Sequence, residues 1–272
     1  MDFSFFGTDN FAVKILTGLK TAGWLPKFIV TTPDRPRGRK LVLTPPPVKG
    51  WVTENKINYY QPAKLTNFSL PACKVAIVAS YGKILPVSLL TQPKKGFVNI
   101  HPSLLPKYRG AAPLQAAILS GDQETGVTLM EVDKQMDHGA IIAQEKLILS
   151  GQNFLELRDQ TAALGVKLIT EKLPLWLSGE LKATPQDEAL ATYTKKIEKE
   201  DGLINLADDP ITNDRKIRAY TLWPGTYFFH NTPKGKTRVI IKKTHLNNQN
   251  ELVIERVIPE GKKEMDYSAF VF

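Results

Sequence analysis

Two polar side chains that could take part in catalysis stand two positions apart in the apolar segment Phe97-Val98-Asn99-Ile100-His101. Because residues i and i+2 of an extended strand project from the same face, we expect Asn99 and His101 to point together beyond the strand end. An amide N–H can stabilise a carbonyl oxygen that gains negative charge, and an imidazole can move a proton near neutral pH. The pair therefore suits a reaction that requires both.

A third candidate, Asp137, lies in the turn-like segment Met136-Asp137-His138-Gly139, ahead of the apolar run Ala140–Ala143. A carboxylate beside an imidazole fixes its tautomer and stabilises its protonated form. Spacing alone does not show that Asp137 meets His101, so its place in the site is a hypothesis.

The elements that must position these residues alternate between strand and helix patterns. Strands are predicted over 2–7, 27–31, 74–80 and 96–101, and helices over 10–22 and 153–178. This alternation predicts an α/β fold with an open, mostly parallel sheet and helices on both faces. Ligands of such sheets bind at the carboxyl ends of strands, which is where Asn99 and His101 stand.

The turn after the first predicted strand, Gly7-Thr8-Asp9-Asn10, lacks the three-glycine spacing of a dinucleotide-binding loop. We expect Asp9 or Asn10 to cap the helix that follows.

The second part of the chain has a different composition. We predict a catalytic domain over 1–186, a basic linker over 187–208 and a small β-rich domain over 209–272. That domain should contain a short helix over 213–220 and strands over 237–242 and 251–257.

The chain is basic, with 36 Lys and Arg against 27 Asp and Glu and a net charge of +9. This balance favours a polyanionic partner. Residues 32–49 are predicted to form a long loop without secondary structure that carries Arg35, Arg37, Arg39 and Lys40. Either a polyanion-binding loop or a solvated charged loop fits this pattern.

The single cysteine, Cys73, excludes an intrachain disulfide and a cysteine-rich metal site, and we expect it to be buried. A cytoplasmic location is consistent with this. The chain has no apolar run of the roughly 18–20 residues that a membrane helix needs, and its first residues are typical of a strand rather than a signal peptide.

The catalytic pair lies in a longer pattern. The segment Asn99-Ile100-His101-Pro102 continues as Ser103-Leu104-Leu105-Pro106 and then as Lys107-Tyr108-Arg109-Gly110-Ala111-Ala112-Pro113. With Asp137 in its Met-Asp-x-Gly turn, this pattern resembles the folate-dependent formyltransferases, in particular those that act on methionyl-tRNA. The resemblance is collinear over nearly the whole chain and extends through 6–12, 33–36, 81–86, 124–128, 196–201, 217–220, 223–225 and 259–265.

The resemblance implies a Rossmann-like formyltransferase domain followed by a truncated, OB-like, β-rich C-terminal domain. It implies 10-formyltetrahydrofolate as the formyl donor and the α-amino group of methionine on initiator tRNA as the acceptor, with no metal. We expect a monomer that does not bind membranes.

The resemblance also implies roles for individual residues. Asn99, His101 and Asp137 would form the catalytic triad. Folate contacts are implied for Ser103, Leu104, Leu105 and Pro106, and tRNA contacts for Arg35, Arg37, Arg39, Lys40, Lys196 and Lys199.

Two departures leave alternatives open. The region 209–272 is shorter than the family's C-terminal barrel, and Pro102 stands where the tRNA-directed branch often has glycine. The alternatives are a formyltransferase acting on an amino-sugar nucleotide, a glycinamide ribonucleotide formyltransferase, and a non-catalytic RNA-binding relative. The intact residues Asn99, His101 and Asp137 argue against the last.

Overall fold

A computed structural model describes residues 1–38, 40–233 and 235–271 of the chain. By the density of their contacts, Met1–Ala111, Thr125–Ile148 and Arg158–Tyr193 form one unit, and Ala112–Glu124, Leu149–Leu157 and the residues from Thr194 onward form another. The division into 1–186, 187–208 and 209–272 stays a prediction.

The described residues form the following strands and helices, numbered in chain order. The strands are β1 (Phe3–Gly7), β2 (Ile29–Val30), β3 (Arg35–Arg37), β4 (Val42–Thr44), β5 (Tyr59–Tyr60), β6 (Val75–Ala79), β7 (Phe97–His101), β8 (Arg109–Gly110), β9 (Glu124–Glu131), β10 (Ile141–Ile148), β11 (Tyr193–Thr194), β12 (Tyr227–Thr232), β13 (Gly235–Leu246), β14 (Leu252–Pro259) and β15 (Met265–Asp266). The helices are α1 (Asn10–Thr21), α2 (Pro47–Asn55), α3 (Val87–Leu90), α4 (Pro113–Ser120), α5 (Phe154–Ser178), α6 (Pro210–Ala219) and α7 (Ser268–Val271).

The first unit is built on a seven-stranded sheet in the order β10-β9-β7-β6-β1-β2-β5. The strands from β7 to β5 are parallel, and β9 runs antiparallel to β7. After β1 the chain adds β2 and β5 on one side of that strand, and it then returns to pair β6 with the other side of β1. This topological switch opens a crevice at the carboxyl ends of the strands. The predicted α/β class, with an open and mostly parallel sheet, is confirmed.

Helix α5 packs against the face of β7 that carries Val98 and Ile100. A Cβ atom on Gly165 of α5 would lie 2.8 Å from the Ile100 side chain, so this helix rests directly against the strand. Ile100 is 1% exposed and belongs to the core cluster that also contains Val98. The alternation of the pleat then leaves Asn99 and His101 on the other face.

The turn after β1 is closed by a helix cap, as predicted. The Asp9 carboxylate accepts hydrogen bonds from the N–H groups of Phe11 and Ala12 at 3.0 and 3.2 Å, and from the Ser80 hydroxyl at 2.6 Å. The first N–H groups of α1 are therefore satisfied by a side chain of the protein.

The expectation of a loop without secondary structure over residues 32–49 is wrong. Strands β3 and β4 form an antiparallel hairpin, with Arg35 opposite Thr44 and Pro36 opposite Leu43, and α2 begins at Pro47. The hairpin turns through Gly38, whose φ of +70° suits a residue without a side chain. The prolines suggested irregular structure, although an edge strand tolerates them.

The second unit contains the four-stranded antiparallel sheet β12-β13-β14-β15. Its core holds Ile204, Phe228, Val239, Ile241 and Val257. The predicted short helix is α6, which begins earlier than expected because Asp209 caps it through the Thr212 N–H at 2.8 Å. Both predicted strands are present and longer than expected. The prediction of a small β-rich region in the second part of the chain is confirmed.

Candidate active site

The carboxyl end of β7 brings the three candidate catalytic side chains together. The Asn99 amide nitrogen donates to the Asp137 Oδ1 atom at 3.4 Å, a long hydrogen bond. The His101 Nδ1 atom lies 3.7 Å from Asp137 Oδ2. The Asp137 carboxylate also accepts a hydrogen bond from the Gly110 N–H at 2.8 Å. The contact that spacing alone left open is therefore present.

The surroundings of His101 determine which ring nitrogen can take a proton. The Nε2 atom lies 2.9 Å from the Tyr108 carbonyl oxygen, which can only accept, so Nε2 carries a hydrogen. Nδ1 is left to bind a further proton, and it faces Asp137. A positive charge formed on this buried ring would lie beside a carboxylate, which is the arrangement that stabilises it.

The turn after β7, residues 103–106, is held by buried hydrogen bonds. The Thr128 hydroxyl donates to the Ser103 carbonyl at 2.7 Å and accepts from the Leu105 N–H at 3.1 Å and from the Gln144 amide at 2.8 Å. The Gln144 amide also donates to the Leu105 carbonyl at 2.8 Å. The three bonds of the Thr128 hydroxyl use all its hydrogen-bonding capacity.

The four residues predicted to contact folate differ in exposure. Ser103 and Leu105 are buried, and the Ser103 hydroxyl donates to the Lys107 carbonyl at 2.6 Å. Leu104 and Pro106 are partly exposed. Side-chain contact with a ligand can therefore come from Leu104 and Pro106, while Ser103 and Leu105 shape the turn.

Arg109, which follows this turn, is completely buried, with an exposed fraction of 0%. Its guanidinium donates to the Glu188 carboxylate at 2.6 and 2.9 Å, to the Gln186 Oε1 atom at 2.7 and 3.0 Å, and to the Tyr193 hydroxyl at 3.1 Å. The guanidinium holds the pKa of Glu188 below its usual range, and Glu188 raises the pKa of Arg109. Arg109 is therefore an internal residue of the first unit.

The basic hairpin β3–β4 is anchored at its base. The Asp34 carboxylate forms an ion pair with Lys49 at 2.7 Å and accepts from the Gln61 amide at 2.8 Å. The Lys49 ammonium lowers the pKa of Asp34. Burial lowers the pKa of Lys83, and the positive charge of Arg35 lowers it further.

The residues predicted to contact tRNA are exposed wherever the structure describes them. Arg35 and Lys40 lie on the hairpin of the first unit, whereas Lys196 and Lys199 belong to the second unit. The side chain of Arg37 and the whole of Arg39 lie outside the described residues.

Sequence reasoning missed the residues that support the site. Gln186 donates to the Asp137 and Gly139 carbonyls, although 49 and 47 positions separate them in sequence. Gln144 likewise lies outside every motif, and Thr128 ends the matching segment 124–128 with no local sign of its role. Arg109 carried a signal, since it is a charged residue directly before the small, apolar run 110–113 of the same motif.

The fold and the site together define a class of enzyme. An open α/β sheet carries an amide, an imidazole and a carboxylate at one strand end, as expected for an enzyme that transfers an acyl group. Residues 1–173 match the family described as formyl transferase, and residues 196–253 match the formyl transferase C-terminal domain. The chain belongs to the formyl transferase family and is an enzyme of that kind.

The chain is similar in sequence to several methionyl-tRNA formyltransferases. The one from Listeria monocytogenes is 37% identical over an aligned region of 293 positions, which covers 98% of this chain and 94% of that protein. The one from Chloroflexus aurantiacus is 42% identical over 249 residues, covering 88% of this chain and 78% of that protein.

The fold is also similar to a solved N-formyltransferase from Helicobacter canadensis, in complex with folinic acid and dTDP-3-aminofucose. Its TM-score is 0.67 at 19% identity, covering 90% of this chain and 88% of that one. At this identity the likeness concerns the fold alone. In the part of the chain that the structure describes, no helix is long and apolar enough to cross a membrane.

Proposed function

We propose that this protein transfers a formyl group from 10-formyltetrahydrofolate to the α-amino group of methionyl-initiator tRNA. The observation that carries the proposal is the cluster of Asn99, His101 and Asp137 at the end of β7. It occurs in a chain that is similar to methionyl-tRNA formyltransferases over 98% of its length. These relatives favour tRNA as the acceptor over an amino-sugar nucleotide.

His101 and Asp137 form the proton-transfer pair in this proposal. An amine must be neutral to attack a carbonyl carbon, and it loses a proton as the new C–N bond forms. The Nδ1 atom of His101 takes that proton, directly or through water. The ring then carries a positive charge 3.7 Å from the Asp137 carboxylate, which stabilises it. As the bond between the formyl carbon and N10 of the donor breaks, His101 gives the proton to that nitrogen, and tetrahydrofolate leaves.

Asn99 stabilises the charge that develops on the formyl oxygen. Its amide nitrogen has two hydrogens, and the bond to Asp137 uses one of them. The second hydrogen is available for the oxygen of the formyl group. One such donor contributes about 3–4 kcal/mol to lowering a barrier of this type.

The site fits the proposed donor in its chemistry. Next to the Asn99 amide and the Asp137 carboxylate stands a turn whose Leu104 and Pro106 side chains are apolar and partly exposed. Apolar lining with a few placed polar groups is typical of a site for a ring-containing small molecule. The formyl donor supplies the activated carbonyl, while Ser103 and Leu105 keep the turn in shape from inside.

The tRNA contacts belong to the basic side chains. We assign phosphate contacts to Arg35, Arg37, Arg39 and Lys40 on the hairpin and to Lys196 and Lys199 in the second unit. The anchored base of the hairpin and the exposure of Arg35, Lys40, Lys196 and Lys199 support this assignment.

The test is formyl transfer from 10-formyltetrahydrofolate, with methionyl-initiator tRNA and an amino-sugar nucleotide as parallel acceptors. We expect formylation of the tRNA and none of the sugar. A His101→Gln protein serves as the inactive control. Transfer to the sugar alone, or to neither acceptor, would overturn the proposal.

A further inference from the structure

Asp137 is held in a backbone conformation that few residues adopt. Its φ of +50° lies in the left-handed region, which only a few per cent of non-glycine residues adopt, although aspartate does so more often than most. Such strained positions persist only where the surrounding structure enforces them. The contacts of the neighbouring backbone therefore bear on how the carboxylate is aimed.

The amide of Gln186 supplies this constraint. Its Nε2 atom donates to the Asp137 carbonyl at 2.9 Å and to the Gly139 carbonyl at 2.8 Å, so one side chain bridges both ends of the turn. Gly139 is itself packed tightly, because a Cβ atom there would collide with the Glu131 carbonyl oxygen. The turn is thus held by Gln186 at two carbonyls and by close packing at Gly139.

Arg109 fixes the orientation of Gln186. Two guanidinium N–H groups converge on the Gln186 Oε1 atom, which forces the Nε2 atom to face the turn. The guanidinium is in turn held by a bidentate bond to Glu188. Because Arg109 is fully buried and its partners are charged or polar, this arrangement has little freedom to change.

His138 connects the same turn to Glu188. Its Nδ1 atom lies 2.5 Å from Asp133 Oδ2, and its Nε2 atom lies 3.5 Å from Glu188 Oε1. The residue after the catalytic carboxylate is therefore tied to the partner of Arg109. The chain of contacts runs from Glu188 through Arg109 and Gln186 to the Asp137 backbone.

We infer that Gln186 is a positioning residue for the Asp137 carboxylate, oriented for that purpose by Arg109. The inference rests on the proposed function, since it assumes that Asp137 acts on His101 during formyl transfer. Gln186 bonds to the backbone of the turn, and it acts only through Asp137.

The first test compares Gln186→Leu and Gln186→Glu with a matched Gln135→Leu protein, whose exposed glutamine lies two positions before Asp137. We expect both Gln186 variants to lower kcat by about 10²-fold, because small misplacements of catalytic groups have effects of this size. Gln186→Glu keeps an acceptor for Arg109 but places an oxygen against two carbonyl oxygens. The KM for methionyl-tRNA should stay within about threefold, because substrate binding is unchanged. Thermal unfolding identifies any variant that is not folded.

The second test separates positioning from a general structural effect. If Gln186 acts through Asp137, adding Gln186→Leu to an Asp137→Asn protein should cause no further loss of kcat. A full additional loss, or wild-type kcat in Gln186→Leu alone, would overturn the inference.

A third measurement does not depend on activity. Amide hydrogen exchange over residues 137–140 of the free protein should be faster in Gln186→Leu than in wild type and in Gln135→Leu. Unchanged exchange overturns the inference even if the enzyme is active. Failure of the wild-type protein to formylate methionyl-tRNA overturns the proposed function and leaves the exchange result to decide the role of Gln186.

Discussion

The side chains of the site share one carboxylate. Asp137 Oδ1 accepts from Asn99, and Oδ2 accepts from the Gly110 N–H and faces His101. Because both oxygens are engaged, the carboxylate cannot rotate freely, and both the amide and the imidazole are held against it. At this scale, one anion orients the proposed oxyanion donor and the proposed base together.

The first prediction concerns Asn99. Asn99→Ala removes the proposed oxyanion donor and should lower kcat by about 10²–10³-fold. The free energy of unfolding should change little, because Asn99 is only partly buried and its bond to Asp137 is long. Steady-state kinetics and urea unfolding measure the two effects. Asn248→Ala, at an exposed turn residue, is the control. Wild-type kcat in Asn99→Ala would contradict the oxyanion role.

The second prediction follows from the Arg109–Glu188 pair. Arg109 holds the pKa of Glu188 below its usual range, so the pair stabilises the folded state at neutral pH. That stabilisation is lost as the pH falls through the lowered pKa of Glu188. Wild type should be more stable than Glu188→Gln at pH 7, and the difference should shrink below about pH 4, where glutamate ordinarily protonates.

Chemical unfolding at a series of pH values from 7 to 3 measures this difference. Glu54→Gln, at an exposed glutamate that is not a member of this pair, is the matched control and should follow wild type throughout. A difference between wild type and Glu188→Gln that grows toward low pH would have the wrong sign for a lowered pKa.

At the scale of elements, the turn 103–106 depends on a strand beside it. Thr128 lies opposite His101 in the pairing of β9 with β7, so the register of two strands places its hydroxyl beneath the turn. The antiparallel β9 thus carries support for residues that follow β7. The catalytic pair and the proposed folate turn are consequently fixed by the same strand contact.

The third prediction tests this support. Thr128→Val keeps the side-chain shape but leaves the Leu105 N–H and the Ser103 carbonyl without their partner. We expect a loss of about 1–3 kcal/mol in the free energy of unfolding, the usual effect of unsatisfied buried groups. The KM for 10-formyltetrahydrofolate should rise more than the KM for methionyl-tRNA. Thr66→Val, at an exposed site, is the control. Equal changes in both KM values would contradict a role for the turn in folate binding.

The elements also show what the sequence could predict. Helix α1 was predictable because its apolar residues repeat with the helical period, strand β7 because it is a short and largely apolar run, and Asp9 as a cap from its position. The hairpin β3–β4 was not, because its three residue pairs are too short to produce a pattern and Pro36 opposes a strand prediction. Periodicity reports burial, and this hairpin is exposed.

The catalytic side chains of the site were predictable from the sequence, whereas the contacts that support them were not. Asn99 and His101 follow from strand geometry and local sequence. Asp137 was recognised through a family pattern, and only the fold shows its contact with them. Gln186 lies outside any motif, and a single glutamine in a polar stretch gives no sign of a bond formed across the fold. Contacts between distant segments depend on topology, which local patterns do not report.

At the scale of the whole molecule, the net charge of +9 fits a polyanionic acceptor better than a small sugar nucleotide. The charge also separates the two proposed substrates. If the basic side chains contact its phosphates as proposed, tRNA binding should depend strongly on salt. The folate donor is a small molecule, and its binding should depend on salt far less.

The fourth prediction uses this salt dependence to test Arg35. Each phosphate contact contributes a slope of about −0.7 to −0.9 to a plot of the logarithm of the association constant against the logarithm of salt concentration. Arg35→Ala should weaken methionyl-tRNA binding and make the slope less negative by about one, because one contact is lost.

Lys94→Ala is the matched control. Lys94 is exposed and lies just before the amino end of β7, whereas Asn99 lies near the carboxyl end of that strand. Its slope should equal that of wild type. Titration of each protein with methionyl-tRNA at several salt concentrations measures the slopes. An unchanged slope in Arg35→Ala would show that this residue contacts no phosphate, and the tRNA contacts would then have to lie elsewhere on the basic surface.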